Sequence, residues 1–441
     1  MKLINADCIE AMKAMPENSV DSIVTDPPYE LGFMGKSWDA SGIAFNVEVW
    51  REALRVIKPG GHLIAFSGSR TYHRMAVAIE DAGFEIRDQI MWVYGSGFPK
   101  SHNVSKGIDK AAGAVREVVG TRETSFLARK TKDGNTLQGD MLMSEEKGIG
   151  IIVDSLPATP AAKQWQGWGT ALKPAHEPIV LARKPLIGTV ANNVLTYGVG
   201  GLNIDGSRVG DTVETWPASR SFASGISSGF TEGLEKGETQ ATGVAPAGRW
   251  PANFIHDGSD EVVELFPTLH GSGNKSDVGD GQDKDYEASS YQISYAGRAN
   301  RDYGSKGGSA ARFFYCAKAS KRDRNEGLDG FEVKRDHDGR ADGGVGGDNP
   351  RNRTNNEKLN HHPTVKPTAL MQYLVRLVTP PNGIVLDPFM GSGSTGKACA
   401  YEGFEFIGID QSAEYCEIAK ARIDFVHASL EQVLFPRGFQ T

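Results

Sequence analysis

Short apolar runs alternate with amphipathic stretches at both ends of this chain. The runs end at turn residues and contain β-branched side chains, which predicts strands at Lys2–Asn5, Ser22–Thr25 and His62–Phe66. Phe45–Ile57 has apolar residues at helical spacing, and Tyr72–Ala82 predicts another helix that closes at Gly83. Phe84–Tyr94 has the pattern of a final hairpin. This alternation indicates an α/β fold, doubly wound around a mainly parallel sheet.

The same pattern returns near the C-terminus but is lost in the middle of the chain. Ile384–Leu386 and Phe404–Asp410 predict two further strands, the second followed by an amphipathic helix. Between about 100 and 360 strand-like runs such as Glu177–Ala182 are isolated, and Trp165 and Trp168 fit core anchors as well as DNA wedges. We therefore expect three segments: 1–99 and 361–441 as two halves of one domain, and 100–360 as an insert.

Composition narrows the class of protein. The chain has 441 residues, of which 23% are charged and 39% hydrophobic. Its net charge is −7, so the chain as a whole lacks the positive charge that would indicate binding to nucleic acid. Its four cysteines lack the paired spacing of a zinc site or a disulfide framework, and no metal is expected. No apolar run approaches the roughly 20 residues that cross a bilayer, and no signal peptide is evident. These features predict a cytoplasmic protein.

The most informative motif is Asp26-Pro27-Pro28-Tyr29, directly after a predicted strand. The prolines cannot extend a β-ladder, so the strand ends at Asp26 and presents a carboxylate, proline carbonyls and an aromatic ring. Such a group suits the activation of an exocyclic base amine, whose lone pair is delocalised into the ring. Asp26 and the Pro27 carbonyl would accept both N–H bonds, and Tyr29 would stack on the base. A proline turn with a capping Asp is the alternative.

A second motif, Asp387-Pro388-Phe389-Met390-Gly391-Ser392-Gly393, follows the strand at 384–386. Gly391 and Gly393 allow a tight turn and a close approach of backbone to ligand, and Ser394 or Thr395 is expected to cap the next helix. Asp410, about 20 residues later at a strand end, fits a ribose-binding acid. A phosphate-binding P-loop is the rival for Gly391–Lys397, although Ala398 replaces the expected hydroxyl.

Together the two motifs resemble those of the amino-methyltransferases of DNA, and their order resembles the β group of that family. The resemblance covers about 1–100 and 360–428. It implies a circularly rearranged Rossmann-like methyltransferase that uses S-adenosylmethionine and carries a large inserted target-recognition region. It implies catalysis by Asp26, Pro27, Pro28 and Tyr29. The cofactor residues that it implies are Asp7, Lys366, Thr368, Asp387, Pro388, Phe389, Gly391, Gly393 and Asp410.

Two of these predicted cofactor residues, Asp7 and Thr368, also have a simpler structural interpretation. Asp7 would contact the adenine of the cofactor, but an acid at this position also fits a helix N-cap. Lys366 would meet the cofactor carboxylate. Thr368 would cap the helix 369–378, and this cap alone would explain it.

The DNA contacts are predicted from local charge. The polar loop 30–41, with Lys36 and Trp38, is expected to close over a base. Residues 298–324 carry a net charge of +6 in a chain of −7, with aromatic residues among the basic ones. This pattern favours contact with DNA phosphates. The residues proposed there are Arg298, Arg301, Arg312, Lys318, Lys321 and Arg322. The alternative is a solvated face packed on a small β core through Phe313 and Tyr315.

The sequence thus predicts methylation of double-stranded DNA at the N6 amine of adenine. Methylation of N4 of cytosine, a silent DNA-binding regulator, and methylation of RNA or protein remain alternatives. An acid at the first motif position favours adenine within the resembled family. A homodimer and a cognate restriction nuclease are further partners that the resemblance suggests, with a bacterial nucleoid-associated or phage-encoded origin.

Overall fold

The computed structural model describes residues 1–31, 37–97, 101–124, 141–143, 150–210, 248–269, 308–317, 321–335 and 357–434. The strands are β1 Lys2–Asn5, β2 Val20–Thr25, β3 Ile57–Phe66, β4 Glu85–Val93, β5 Glu117–Thr124, β6 Met141–Met143, β7 Gly150–Leu156, β8 His176–Arg183, β9 Phe254–His256, β10 Thr268–Leu269, β11 Gly308–Ser309, β12 Tyr315–Cys316, β13 Lys334–Arg335, β14 Glu357–Lys358, β15 Ile384–Asp387 and β16 Glu405–Asp410.

Helices connect these strands and cover the main sheet. The α-helices are Cys8–Lys13, Val47–Val56, Tyr72–Asp81, Val104–Ala111, Pro160–Gln164, Val190–Tyr197, Asp260–Val263, Lys321–Asn325, Thr368–Val378, Ser394–Glu402 and Ala413–Leu434. Short 3-10 turns occupy Ser37–Ala40, Ile43–Phe45, Asp205–Ser207 and Ala310–Phe313. Within the described ranges, none of the helices combines the length and apolar character that a membrane span needs.

Nine strands form the main sheet, in the order β1-β16-β15-β2-β3-β8-β4-β9-β12. The pairs from β1 to β3 are parallel, β8 runs antiparallel to both of its neighbours, and β9 and β12 add parallel pairs at the far edge. The two C-terminal strands β15 and β16 lie between β1 and β2, which are close in sequence. This arrangement is the circularly rearranged Rossmann-like fold that the motif order predicts.

Hydrophobic clusters cover both faces of the main sheet. One contains Ile64 and Phe66 of β3 with the apolar face of the helix Thr368–Val378. The other packs the helices Val47–Val56 and Tyr72–Asp81 on Ile23, Leu63 and Ala65. Period-2 alternation along β2 and β3 therefore sends neighbouring side chains into opposite clusters, and both strands are buried on two sides, as parallel strands are.

Two sequence predictions about the middle of the chain are wrong. The segment 84–94 is no hairpin: it is the single strand β4, and its antiparallel partner β8 comes from the predicted insert. The segment 100–360 is therefore not wholly an insert, because β8, β9 and β12 complete the main sheet. Local patterning could not reveal this, since a strand's partner is chosen by tertiary packing. A target-recognition role for the rest of 100–360 stays a prediction.

Candidate active site

The carboxyl ends of β2, β15 and β16 open into one cavity of about 1520 Å³. The strand order reverses between β15 and β2, and ligands of open α/β sheets bind at such a switch point. The predicted residues that line the cavity are Asp26, Pro27, Pro28, Tyr29, Lys366, Asp387, Pro388, Phe389, Gly391 and Asp410. Motifs that lie at opposite ends of the sequence thus meet in one place.

The two carboxylate oxygens of Asp26 differ in their surroundings. Oδ2 accepts a hydrogen bond from Lys366 Nζ at 2.6 Å. Oδ1 is buried and has no hydrogen-bond partner among the described residues. A buried acceptor without a donor costs free energy, on the order of 1–3 kcal/mol, so a site of this kind favours a ligand that donates. Asp26 is thus held on one side and free to accept a ligand N–H on the other.

Tyr29 and Lys366 share a second carboxylate, that of Glu177 at the start of β8. The Tyr29 hydroxyl donates to Glu177 Oε2 at 2.7 Å, and Lys366 Nζ lies 3.5 Å from the same oxygen. Burial, together with the charges of Asp26 and Glu177, raises the pKa of Tyr29 well above its usual value. The phenol is therefore neutral, and its ring is fixed at the cavity wall.

Lys366 is a charged group in a buried position. Burial alone would lower its pKa, but the attraction of Asp26 and Glu177 outweighs burial, and the pKa is raised. Its ammonium also lies 5.2 Å from the Tyr29 ring centroid and 5.0 Å from that of Phe66, within cation–π range. In this structure Lys366 binds the carboxylate of Asp26, which the sequence did not predict, and its contact with the cofactor carboxylate stays a prediction.

Asp387, at the end of β15, accepts three hydrogen bonds from its own chain. It accepts from Thr25 Oγ1 at 2.6 Å, from Thr395 Oγ1 at 2.5 Å and from the Phe389 N–H at 3.1 Å. Burial raises its pKa to about 6 despite these donors. Ser394 or Thr395 was expected to cap the next helix, but the helix Ser394–Glu402 has Gly393 at its N-cap and no side-chain cap. The Thr395 hydroxyl donates to Asp387.

Asp410 and Asp7 lie beside each other at the ends of β16 and β1. Asp410 accepts from the backbone N–H groups of Gly391 and Ser412, and burial raises its pKa. Asp7 Oδ1 caps the helix Cys8–Lys13, accepting from Ile9 and Glu10, and Oδ2 accepts from Gln411. Asp7 itself does not line the cavity, whereas its neighbours Ala6 and Cys8 do. The N-cap reading of Asp7 therefore holds, and its cofactor role stays a prediction.

The glycines of the second motif have different tasks. Gly391 has φ of +52°, and a Cβ there would lie 2.7 Å from Nε2 of His362, so only glycine leaves the loop this close to the ring. Gly393 has φ of +78° and does not line the cavity, but a Cβ would lie 2.9 Å from the Cα of Ala419. Gly391 thus shapes the cavity wall, and Gly393 lets the loop pack on the last helix.

The P-loop alternative does not fit the structure. Lys397, which would reach a phosphate, is fully buried and forms an ion pair with Glu326 at 2.7 Å. Arg422 of the last helix is also buried and holds the loop from behind, donating to the backbone oxygen and the hydroxyl of Ser392. Both cations thus support the protein and face away from the cavity.

Thr368 is placed differently from its prediction. The helix Thr368–Val378 has Pro367 at its N-cap and no cap from its own threonine. Instead Asp323 accepts from the Thr368 N–H at 3.2 Å and from its hydroxyl at 2.7 Å. Thr368 does not line the cavity. An acid from a distant part of the sequence supplies the cap, which local spacing could not show.

Most of the residues predicted to contact DNA lie outside the part of the chain that the structure describes. Lys36, Arg298, Arg301 and Lys318 lie outside the described residues, as do the side chains of Trp38, Lys321 and Arg322. Arg312 is exposed and lies over the Phe313 ring, 4.5 Å from its centroid, and its DNA role stays a prediction.

Other members of the basic segment 298–324 face the protein. Arg324 donates to the backbone oxygens of Asn360 and His362, and Tyr315 stacks on Tyr373 with ring centroids 4.0 Å apart. The segment is therefore not one continuous DNA-facing surface, and the packed-core alternative holds for Tyr315.

The sequence did not predict that Glu177 and His362 line the cavity. Glu177 was read as the beginning of a buried strand, and the signal was an acid next to a proline at a strand start. His362 donates through Nδ1 to the Thr364 carbonyl at 2.6 Å, and burial lowers its pKa to about 4. Its neutral ring packs edge-on against Tyr415, and both side chains line the cavity.

These features fit a cationic, amine-bearing cofactor. Carboxylates at the ends of β15 and β16 lie on one side of the cavity, and a close glycine turn separates them. The donor-free oxygen of Asp26 lies at the adjoining strand end. A mostly parallel sheet with this order and these acids defines a Rossmann-like methyltransferase.

Comparison with known proteins identifies the family. A family model described as "DNA methylase", covering N6 and N4 methyltransferases, matches residues 20–186 and 288–421, which is more than half of the chain. The chain belongs to this family of DNA amino-methyltransferases, whose methyl donor is S-adenosylmethionine.

Individual relatives match over shorter stretches. The putative methylase YubD of Escherichia coli K12 is 43% identical over 72 residues, 16% of this chain and 32% of the relative. The DNA adenine methyltransferase YhdJ of the same organism is 39% identical over 87 residues, 20% of this chain and 30% of the relative. The matches thus span about a third of each curated relative.

A solved structure shows a distant likeness across the chain. A putative DNA modification methylase of Thermus thermophilus, in complex with S-adenosyl-L-methionine, is 16% identical. The match covers 96% of this chain and 93% of that one, with a TM-score of 0.36.

Proposed function

We propose that this protein methylates the N6 amine of adenine in double-stranded DNA, using S-adenosylmethionine. The observation that carries the proposal is the asymmetry of Asp26, with Oδ2 bound by Lys366 and Oδ1 buried without a donor among the described residues. An exocyclic amine supplies the N–H that Oδ1 lacks. The cofactor, when bound, supplies a methyl group on a positively charged sulfur.

Asp26 and Pro27 activate the amine in this proposal. A hydrogen bond from one amine N–H to Oδ1 and from the other to the Pro27 carbonyl draws the nitrogen lone pair out of conjugation. The negative charge of Asp26 also stabilises the positive charge that grows on nitrogen during transfer. Tyr29, fixed through Glu177, offers its ring to the base.

Lys366 and Glu177 position Asp26 and Tyr29 in this proposal. Nζ of Lys366 holds Oδ2, so Oδ1 keeps one orientation toward the base. The three charges at this point are two carboxylates and one ammonium, which leaves one negative charge to stabilise a developing cation. Because the site is buried, this charge is weakly screened by water.

The cofactor would lie between β15 and β16. Asp387 and Asp410 are suited to its ammonium and its ribose hydroxyls respectively, and Gly391 to a close approach of backbone. Phe389 and Pro388 add apolar surface in the same wall. Asp7 is proposed as a contact of the cofactor adenine.

Methylation of N4 of cytosine is the second candidate, since the same device activates both amines. Two observations favour adenine. One is the acid at the first motif position, and the other is that 87 residues of this chain are 39% identical to YhdJ, which is named a DNA adenine methyltransferase. Mass spectrometry of nucleosides, after incubation of DNA with protein and methyl-labelled cofactor, decides between them. Label in N6-methyladenine supports the proposal, label in N4-methylcytosine replaces adenine by cytosine, and unlabelled DNA overturns both.

A further inference from the structure

Residues 163–175 form an exposed segment at the rim of the cavity. Every residue of this segment is exposed, yet it carries three large apolar side chains, at Trp165, Trp168 and Leu172. Leu172 is 92% exposed, the highest value among the exposed large apolar side chains of the described residues. Water-exposed apolar side chains in one stretch, beside a ligand cavity, commonly mark a binding surface.

Hydrogen bonds anchor the segment at Trp168 and Thr170 although its side chains are exposed. The hydroxyl of Ser101 accepts from the Thr170 N–H at 2.9 Å, and Thr170 Oγ1 accepts from the His102 N–H at 2.9 Å. Trp168 contributes its backbone oxygen to the Val104 N–H at 3.0 Å. These bonds fix the backbone that leads to Leu172, whose apolar side chain lies in water where a binding partner could cover it.

Leu172 and the tryptophans occupy different positions. The rings of Trp165 and Trp168 pack edge-on, with centroids 4.9 Å apart, and neither lines the cavity. Residues 170–177 do line it, and they lead directly from Leu172 to Glu177, which holds Tyr29. Leu31 also lines the cavity but is only 36% exposed, so among the described residues Leu172 is the cavity-lining apolar side chain that projects furthest into water.

The charges at this rim suit a polyanion. Lys173 follows Leu172, and Arg70, also exposed, lines the cavity from the β3 side. Two cations that line the same cavity as an exposed apolar side chain match the chemistry of a DNA backbone with an opened base step.

We infer that Leu172 enters the double helix and fills the space left by the target base when that base moves into the cavity. The inference rests on the proposed function, because it needs a base that leaves the stack. Unstacking and unpairing a base cost free energy. An apolar side chain that takes the place of the base covers the exposed faces of its neighbours and lowers that cost. Arg70 and Lys173 hold the flanking phosphates.

The test separates opening of the duplex from the chemistry. Once the methylated site is mapped by sequencing, two duplexes containing it are compared: one fully paired, the other with an abasic site opposite the target base. Leu172→Ala should slow single-turnover methylation of the paired duplex by roughly 10- to 100-fold. On the abasic duplex, where the target is already unpaired, the variant should approach the wild-type rate.

Two controls keep the test specific. Leu195→Ala removes a leucine that is 86% exposed on the helix Val190–Tyr197, away from the cavity lining, and should leave both rates unchanged. Leu172→Met keeps an apolar side chain of similar volume and should retain most of the paired rate. 2-Aminopurine at the target position becomes more fluorescent when it leaves the stack. The increase in fluorescence on binding should be smaller for Leu172→Ala than for the wild type, Leu195→Ala and Leu172→Met.

Each outcome decides between the two proposals. If the wild-type protein methylates neither duplex, the proposed function fails. If it methylates both and Leu172→Ala is equally fast on the paired duplex, the inference about Leu172 fails and the function stands. Equal slowing of Leu172→Ala on both duplexes also overturns the inference, because it places Leu172 in binding or folding and not in opening.

Discussion

Two sides of the cavity, the cofactor side and the catalytic side of the proposed function, differ in how their carboxylates are satisfied. On the cofactor side, Asp387 accepts three hydrogen bonds from its own chain, and Asp410 accepts two from backbone N–H groups. On the catalytic side, Asp26 accepts one from Lys366 and keeps a buried oxygen without a donor among the described residues. The carboxylates of the proposed cofactor side are therefore hydrogen-bonded by the chain itself, whereas the proposed catalytic side keeps a buried acceptor that a ligand could use.

This difference has consequences for mutation. Removing an acid that accepts several hydrogen bonds from side chains and backbone of its own chain changes loop geometry and stability together. Removing Asp26 takes away a group that few protein atoms use. We therefore expect effects on turnover to separate from effects on stability at Asp26 and to mix at Asp387.

The largest expected effect is at Asp26. Asp26→Ala should lower the methyl-transfer rate about 10³-fold, the loss seen when a group that stabilises developing charge is removed. Cofactor affinity, measured by calorimetry, should stay within a few-fold. Asp81→Ala, at an exposed acid on the helix Tyr72–Asp81, is the matched control and should be silent. Retained turnover in Asp26→Ala would return the motif to a turn-and-cap role.

Lys366 tests whether the Asp26 side of the cavity depends on the cation shared by Asp26 and Glu177. Lys366→Met should reduce kcat about 10²-fold and leave cofactor affinity nearly unchanged, because its ammonium binds Asp26 and Glu177. Circular dichroism and Tm must accompany the kinetics, since a buried pair that loses one partner destabilises the fold by about 3–5 kcal/mol. Lys366→Arg keeps the charge and should restore part of kcat.

The opposite result for Lys366→Met, a loss of cofactor affinity without a loss of kcat, would favour the sequence prediction that Lys366 binds the cofactor carboxylate. A cofactor Kd weakened more than tenfold, with kcat retained at saturation, would mean that Lys366 leaves Asp26 and binds the cofactor carboxylate. That outcome would make the ion pair a feature of the free protein alone.

Asp387 gives the comparison a pH dependence. Its pKa is raised to about 6 by burial, from an ordinary value near 3.8. The folded protein therefore holds a proton that the unfolded chain has lost, and this contribution to stability, complete below about pH 4, is lost as pH rises through about 6. A cationic cofactor favours the ionised form, so its affinity should rise with pH over the same range, by up to about tenfold per pH unit.

Calorimetric titration from about pH 5 to 8 measures this slope. His362, whose pKa is lowered to about 4, stays neutral in that window. Asp387→Asn keeps the shape of the side chain and should flatten both the stability and the affinity profiles. A wild-type affinity that does not change with pH would mean that Asp387 faces no positive charge of the cofactor.

The sequence predicted the elements of this fold better than their partners. Strand ends at Asp26, Asp387 and Asp410 followed from prolines and apolar runs, which act locally. The pairing of β4 with β8 did not, because a strand far along the chain competes for the same edge. The donors to Asp387 were also invisible, since Thr25 precedes the catalytic motif and Thr395 had a local role as a cap.

Charge patterning could not show which basic residues face the protein. A cluster of basic residues is visible in sequence, but the acceptors that bind its members are not. Arg324 bonds backbone oxygens, and Asp323 beside it caps the helix Thr368–Val378. Both contacts join segments distant in sequence, so no local count of charge could have separated them from DNA-facing residues.

The smallest expected effect is at Asp7, where the comparison is least decided. Its two oxygens are already bound, Oδ1 as the helix cap and Oδ2 to Gln411, so it resembles the complete acids of the cofactor side. Asp7→Asn keeps a capping oxygen, and Asn caps as well as Asp does, so the free energy of unfolding should change by less than about 0.5 kcal/mol. Asp7→Ala removes the cap and should cost about 1 kcal/mol.

If the carboxylate also accepts the amine of the cofactor adenine, both variants should weaken cofactor binding by about three- to tenfold, the equivalent of one hydrogen bond. Calorimetry with S-adenosylmethionine and with an analogue lacking the adenine amine distinguishes the roles. Equal affinity of the wild type for both ligands would leave Asp7 as a cap alone.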